Sequence, residues 1–93
     1  MSKQLILDEA VLLAQRVGYR NLTRRELAAK AKLATGTISY HFGTMTDLRT
    51  AIMKEAIKRR YFVIIRQGLV DGNEHVKRAP LALRKEAANF FNA

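Results

Sequence analysis

Apolar residues recur along the chain in steps of three and four. Ile6, Ala10, Leu13 and Val17 fall at that spacing, which places them on one helical face, and Gly18 follows as a terminator. A second start is written at Thr23-Arg24-Arg25-Glu26. There the Thr23 hydroxyl accepts from the Glu26 amide while the carboxylate reaches back, so a helix carrying Leu27, Ala28 and Ala31 inward begins. After the tight connection Lys32-Leu33-Ala34, the pattern predicts a short helix from Thr35 to Phe42, with Ile38 and Phe42 on its inner side and Gly43 as its stop. Thr44-Met45-Thr46-Asp47 repeats the capping pattern and launches a fourth helix expected to reach Gln67. Asp71-Gly72-Asn73 reads as a turn, Glu74 to Ala79 fits no single element, and Pro80 suits the first turn of a last helix ending near Asn92. The expectation is an all-α chain of five helices without strands. Residues 1–53 form a three-helix unit closed by the start of a long fourth helix, and residues 54–93 form a helical extension.

That long helix carries two apolar stripes. Met45, Leu48, Ile52, Ala56 and Val63 lie on one side, and Met53, Ile57, Tyr61 and Ile64 on another. One helix cannot bury both against the same three-helix unit. The first stripe is expected to close the core, and the second to meet the last helix, a second copy of the chain, or both. Leu83, Ala87, Phe90 and Phe91 supply a matching apolar face, so these eight residues are the expected dimerisation set.

Composition sharpens the picture in four ways. A chain of 93 residues buries only roughly 60–65% of its extended surface, which makes a homodimer attractive. There is no cysteine, and the two histidines, His41 and His75, lie far apart, so a disulfide framework and a metal site are not expected; no cofactor is implied. The longest apolar runs, Ala10 to Ala14 and Tyr61 to Ile65, are far shorter than the roughly 18 residues of a membrane span, so a soluble, cytoplasmic, nucleoid-associated protein is expected. Finally, 17 Lys and Arg stand against 8 Asp and Glu, a net charge of +9 that asks for a polyanion. Lys54, Lys58, Arg59, Arg60 and Arg66 around the fourth helix, and Lys77, Arg78, Arg84 and Lys85 beyond it, form either a solvated basic face or further phosphate contacts.

Local pattern selects the polyanion. The second and third helices, joined by a three- or four-residue turn, have the spacing of a helix-turn-helix, in which the second helix enters a DNA major groove. The outward residues of that helix are Thr35, Gly36, Thr37, Ser39, Tyr40 and His41. Short hydroxyls, a glycine and two flat polar rings allow close backbone approach and hydrogen bonds to base edges. A catalytic reading is not supported: Ser39 and His41 are two apart on a helix, so they diverge, and Asp47 completes no triad.

The stretch Ile6-Leu7, Ala10, Leu13, Gly18-Tyr19, then Leu22-Thr23, Arg25, Leu27-Ala28, then Gly36-Thr37-Ile38-Ser39-Tyr40-His41-Phe42-Gly43-Thr44 and Asp47-Leu48 resembles the N-terminal DNA-binding domain of the TetR (tetracycline repressor) family, over about residues 5–55. The resemblance implies that Arg25, Thr35, Gly36, Thr37, Ser39, Tyr40 and His41 contact bases and phosphates of double-stranded DNA. It also implies that Thr44 caps the fourth helix beside a phosphate, and Thr23, Arg24 and Lys32 complete the expected DNA-binding set. The chain departs from the family pattern at the turn glycine (Lys32), the cap of the recognition helix (Ala34, with Thr35 the expected substitute), a recognition-helix aromatic (Ser39) and a basic residue opening the fourth helix (Met45). Arg24, Lys30 and Lys32 are expected to restore part of the lost phosphate attraction.

Family members carry a long ligand-binding, dimerising C-terminal domain, whereas only about 40 residues follow the motif here. The expected function is accordingly a sequence-specific regulator, a repressor without a small-molecule ligand, acting as a homodimer on a palindromic or repeated operator. The alternative is a plasmid or phage partition or maintenance protein that coats repeated DNA sites cooperatively.

Overall fold

The computed structural model describes residues 2–90. Their helices are α1 (Lys3–Val17), α2 (Arg24–Ala31), α3 (Thr35–Phe42), α4 (Met45–Arg59), α5 (Phe62–Asp71), α6 (Glu74–Lys77) and α7 (Leu81–Asn89), and no strand occurs among the described residues. The first two helices begin at side-chain caps. Ser2 caps α1 by accepting from Leu5 N, and Thr23 and Glu26 close a complete capping box at α2. The ambiguous stretch after Asn73 resolves into one turn of helix, because the Asn73 side chain accepts from both His75 N and Val76 N.

The expected long fourth helix is two helices. It stops at Arg59, and Arg60 takes a left-handed conformation (φ 62°, ψ 43°) while Tyr61 N donates to Ala56 O at 2.9 Å. A non-glycine residue in that region costs on the order of 1–2 kcal/mol, and the contacts around Arg60 offset it. Its guanidinium lies 5.5 Å from the Phe62 ring centre and pairs with Glu86 of α7.

The break answers the two-stripe problem inside a single chain. With α5 turned back, it packs on α4 and on α7, and Ile64 and Ile65 are both fully buried. Met53, Ile64, Leu83 and Ala87, expected at a subunit interface, therefore belong to the chain's own core. Ile57 and Tyr61 remain half-buried, Phe90 is 49% exposed with its ring 5.3 Å from Phe62, and Phe91 lies outside the described residues.

A single cluster of buried residues runs from Ile6 on α1 to Ala87 on α7, crossing position 53 without interruption. Two polar clasps tie the tail to the first helices. Tyr19, in the α1–α2 turn, donates its backbone N–H to Gln67 Oε1 at 2.9 Å and its hydroxyl to the Asp71 carboxylate. Gln67 in turn donates to Ala14 O at 3.1 Å, and Arg20 Nη1 reaches both Asp71 oxygens at 2.8 and 2.9 Å. At the other end the buried Glu55 accepts from Gln4 at 2.9 Å and pairs with Arg59 at 3.0 Å.

At Gly68 the core leaves no room for a side chain. A Cβ there would stand 2.6 Å from Val76 Cγ2 and 2.8 Å from Met53 Cε, and both neighbours are fully buried. Gly68→Ala should therefore destabilise the fold by about 1–3 kcal/mol through overpacking, a loss that urea denaturation will read.

The Asp71 clasp makes stability depend on pH. Hydrogen bonds from Tyr19, and next from Arg20, hold the Asp71 carboxyl below its ordinary value. Its contribution is thus fully present above the unfolded value of about 4 and is lost as pH falls through the lower folded value. In thermal melts between pH 6 and 2.5, Asp71→Asn should show a shallower acid decline than the wild type; parallel curves would contradict the clasp.

Candidate nucleic-acid interface

Helix α3 is fixed by very few residues. Of the eight in α3, only Ile38 (1% exposed) and Phe42 (6%) are buried, against a core to which α2 contributes Leu27 and Ala28. Burying two such side chains is worth about 1.5–3 kcal/mol each, and it leaves the rest of the helix outside. Thr35, Gly36 and Tyr40 are exposed, and Thr37, Ser39 and His41 partly so. Nothing lies within 4 Å of where a Cβ on Gly36 would stand, so this backbone is open to a partner. Tyr40, at 85% exposure, stands free of the core with its ring edge-on to His41 at 5.2 Å.

The turn before α3 is built without glycine. Lys32 adopts the left-handed conformation (φ 59°, ψ 44°), and Leu33 N donates to Ala28 O at 2.8 Å. This geometry sets α3 against α2 and leaves the Lys32 side chain exposed in the turn between them. Ala34 occupies the N-cap position of α3 and makes no side-chain hydrogen bond, and Thr35 is already the first helical residue. The expected substitute cap at Thr35 is therefore absent, so the α3 start keeps its amides free of side-chain caps.

The far end of α3 is tightly specified. Gly43 has φ 79°, and a Cβ on it would meet Asp47 Oδ2 at 2.6 Å. That oxygen accepts from Thr44 N at 3.0 Å, while Thr44 Oγ1 accepts from Asp47 N at 3.1 Å. Hydrogen bonding to the Asp47 carboxylate from the Thr44 backbone N–H, and next from the Thr44 side chain, holds that carboxyl below its ordinary value. Thr44 thus caps α4 as expected, and a glycine before it leaves room for that carboxylate. Ser39 Oγ donates to Thr35 O at 3.4 Å. Ser39 and Asp47 are accordingly engaged with the backbone of their own helix ends.

The cations divide into two groups. Arg25 and Lys32 are exposed and have no carboxylate partner among the described residues. Arg24 reaches Gly43 O at 3.5 Å across the start of α2, and Lys30 pairs with Glu9 at 3.7 Å. Lys30 is therefore directed toward α1. Thr23 has its hydroxyl engaged with Glu26, as donor to Oε1 at 3.0 Å and acceptor from the amide at 3.1 Å.

The structure also brings in a residue that sequence reasoning missed. Lys3 Nζ lies 5.4 Å from the centre of the Phe42 ring, which places the start of α1 at the end of α3. Thirty-nine positions separate the two residues, so only tertiary packing reveals the pair.

Two helices joined by a short turn, the second held by its inner face and free on its outer one, define a helix-turn-helix DNA-binding module. The chain matches the family described as bacterial regulatory proteins, tetR family, over residues 6–52, just over half its length. It belongs to that family of DNA-binding transcription regulators, and the match spans α1 to the middle of α4. Neither curated proteins nor solved structures give a match to the chain.

Tyr40 separates binding from folding. With its side chain outside the core, Tyr40→Ala should leave the melting temperature within about 1–2 °C of wild type, while weakening duplex binding in a fluorescence anisotropy titration.

Proposed function

We propose that this chain is a sequence-specific repressor that reads duplex DNA with the exposed face of α3 and acts by occupying an operator. The observation that supports it most is the contrast within α3: two buried anchors against six outward residues with hydroxyl, glycine and polar aromatic chemistry. Such a face suits base edges in the major groove, where a good bidentate pair is worth about 1–3 kcal/mol of discrimination. In this reading Thr35, Gly36, Thr37, Ser39, Tyr40 and His41 face bases and nearby phosphates. Arg25 and Lys32, as unpaired cations, flank them on the backbone, and Thr44 lies by a phosphate with Lys3 near the same end. Thr23 and Arg24 act mainly by holding the start of α2, given their hydrogen bonds to Glu26 and Gly43.

The acting species in this reading is a homodimer on a palindromic or repeated site, with half-sites about one DNA turn, roughly 34–36 Å, apart or more. Of the eight residues expected at the pairing face, only half-buried Ile57 and Tyr61 and exposed Phe90 are left uncovered among the described residues.

Selection of bound duplexes from a random pool tests the reading. A consensus site should emerge, bound more tightly than random duplex by several kcal/mol, with log affinity falling linearly against log salt. Arg25→Ala and Thr37→Ala should each reduce that preference, by about 1–3 kcal/mol if the lost contact is bidentate to a base. Equal affinity for every duplex would remove the sequence-specific reading, and a long cooperative footprint would replace a single-operator repressor with a coating protein.

A further inference from the structure

Arg49 is a cation without an anion. It lies on α4, only partly exposed, its Nε–H is sealed from solvent with no acceptor, and no carboxylate pairs with it among the described residues. A buried donor left unsatisfied costs about 1–3 kcal/mol, more when charged. Every other buried side-chain nitrogen or oxygen among the described residues has a hydrogen-bond partner.

The surroundings of Arg49 are polar and concave. With Thr46 and Thr50 of α4, Arg20 of the α1–α2 turn and Asn73 of the α5–α6 turn, it lines a cavity of about 220 Å³. Asp71 lines it too, but its carboxylate already accepts from Tyr19 and from both arms of the Arg20 contact. Arg20 and Asp71 offset each other, so the charge left over in the cavity is that of Arg49. Because the Nε–H is sealed, it is the outer edge of the guanidinium, with its two Nη groups, that can face an incoming oxyanion and offer it two parallel N–H donors.

We propose that this cavity is a seat for a phosphate-type oxyanion, held through the guanidinium of Arg49, with Thr46 and Thr50 hydroxyls as further donors, together with the second N–H of the Asn73 amide, whose first donates to the Tyr19 hydroxyl at 3.3 Å. The cavity admits inorganic phosphate with room for a small ester group. The same chemistry has two sources: a free phosphate or phosphomonoester, or one backbone phosphate of a docked duplex. The exposed Thr46 lies two residues beyond the Thr44 cap, so the rim of the cavity adjoins the α3–α4 turn. An anion there would brace the first turns of α4, the helix against which α3 is set. The free-anion arm is independent of the proposed DNA docking, whereas the backbone arm rests on it.

The test uses the full chain labelled with ¹⁵N. Inorganic phosphate is titrated in at constant ionic strength, with chloride as the control, and the Arg49 Nε–H resonance is followed. A saturable shift with phosphate and none with chloride assigns the seat to a free oxyanion; Arg49→Met should weaken that binding about tenfold or more, and Arg49→Lys, which keeps the charge but loses the fork, should not restore it. In parallel, the salt dependence of duplex binding is measured for wild type and Arg49→Met. A slope reduced by about 0.9 in the variant assigns one backbone phosphate to Arg49. Either signal supports the seat, and both together mean that the two sources compete for it. Absence of both overturns the proposal, as does phosphate binding to Arg49→Met at wild-type affinity. Should no duplex bind at all, the phosphate titration alone decides. If Arg49→Met fails to fold, Thr46→Val with Thr50→Val carries the same comparison.

Discussion

The position of α3 rests on the burial of Ile38 and Phe42, because those two side chains are all that the helix contributes to the core. Four residues separate them, so they lie one above the other on a single face, and the remaining six positions are released from packing. The rest of the architecture serves that arrangement. The α2 capping box and the left-handed Lys32 set the angle of approach, Gly43 and the Thr44–Asp47 box end the helix cleanly, and α4 closes the floor beneath it. Chemistry on the outer face is therefore free to vary without altering the fold.

The second half of the chain solves a problem of area. A continuous α4 would have left one of its apolar stripes without a partner, and the break at Arg60 folds that stripe onto α4 and α7. The same fold brings Gln67 and Asp71 against Tyr19, so a polar clasp joins the α1–α2 turn to α5. The recognition module and its extension are consequently joined by both apolar packing and hydrogen bonds. A disturbance at the α5–α6 turn has a short physical route to α4 and from there to α3.

The first three helices were legible in the sequence because their signals are local. Thr23 with Glu26 and Thr44 with Asp47 are caps that act over three residues, and the spacing of Ile38 and Phe42 needs only one turn of helix to be read. The fold class and family resemblance follow from the same stretch. What sequence pattern did not yield depends on contacts between distant segments. Arg60 is not a residue type that announces a left-handed break, and its conformation is supported by Phe62 and Glu86. Met53, Ile64, Leu83 and Ala87 were apolar in the right pattern, yet periodicity cannot say whether such a face meets its own chain or a copy. Lys3 beside Phe42, and Lys30 turned to Glu9, are likewise products of tertiary packing. Thr35 failed as a cap because the helix begins one residue earlier than a Thr35 cap requires, with Ala34 at the boundary.

Lys32 occupies a backbone conformation in which glycine would be more comfortable, and it does so in the turn between α2 and α3. Its ammonium and its strain come as a pair. A glycine there would relieve the backbone and remove a positive charge from the turn, so ease of folding and electrostatic attraction at that turn are set against each other in one residue.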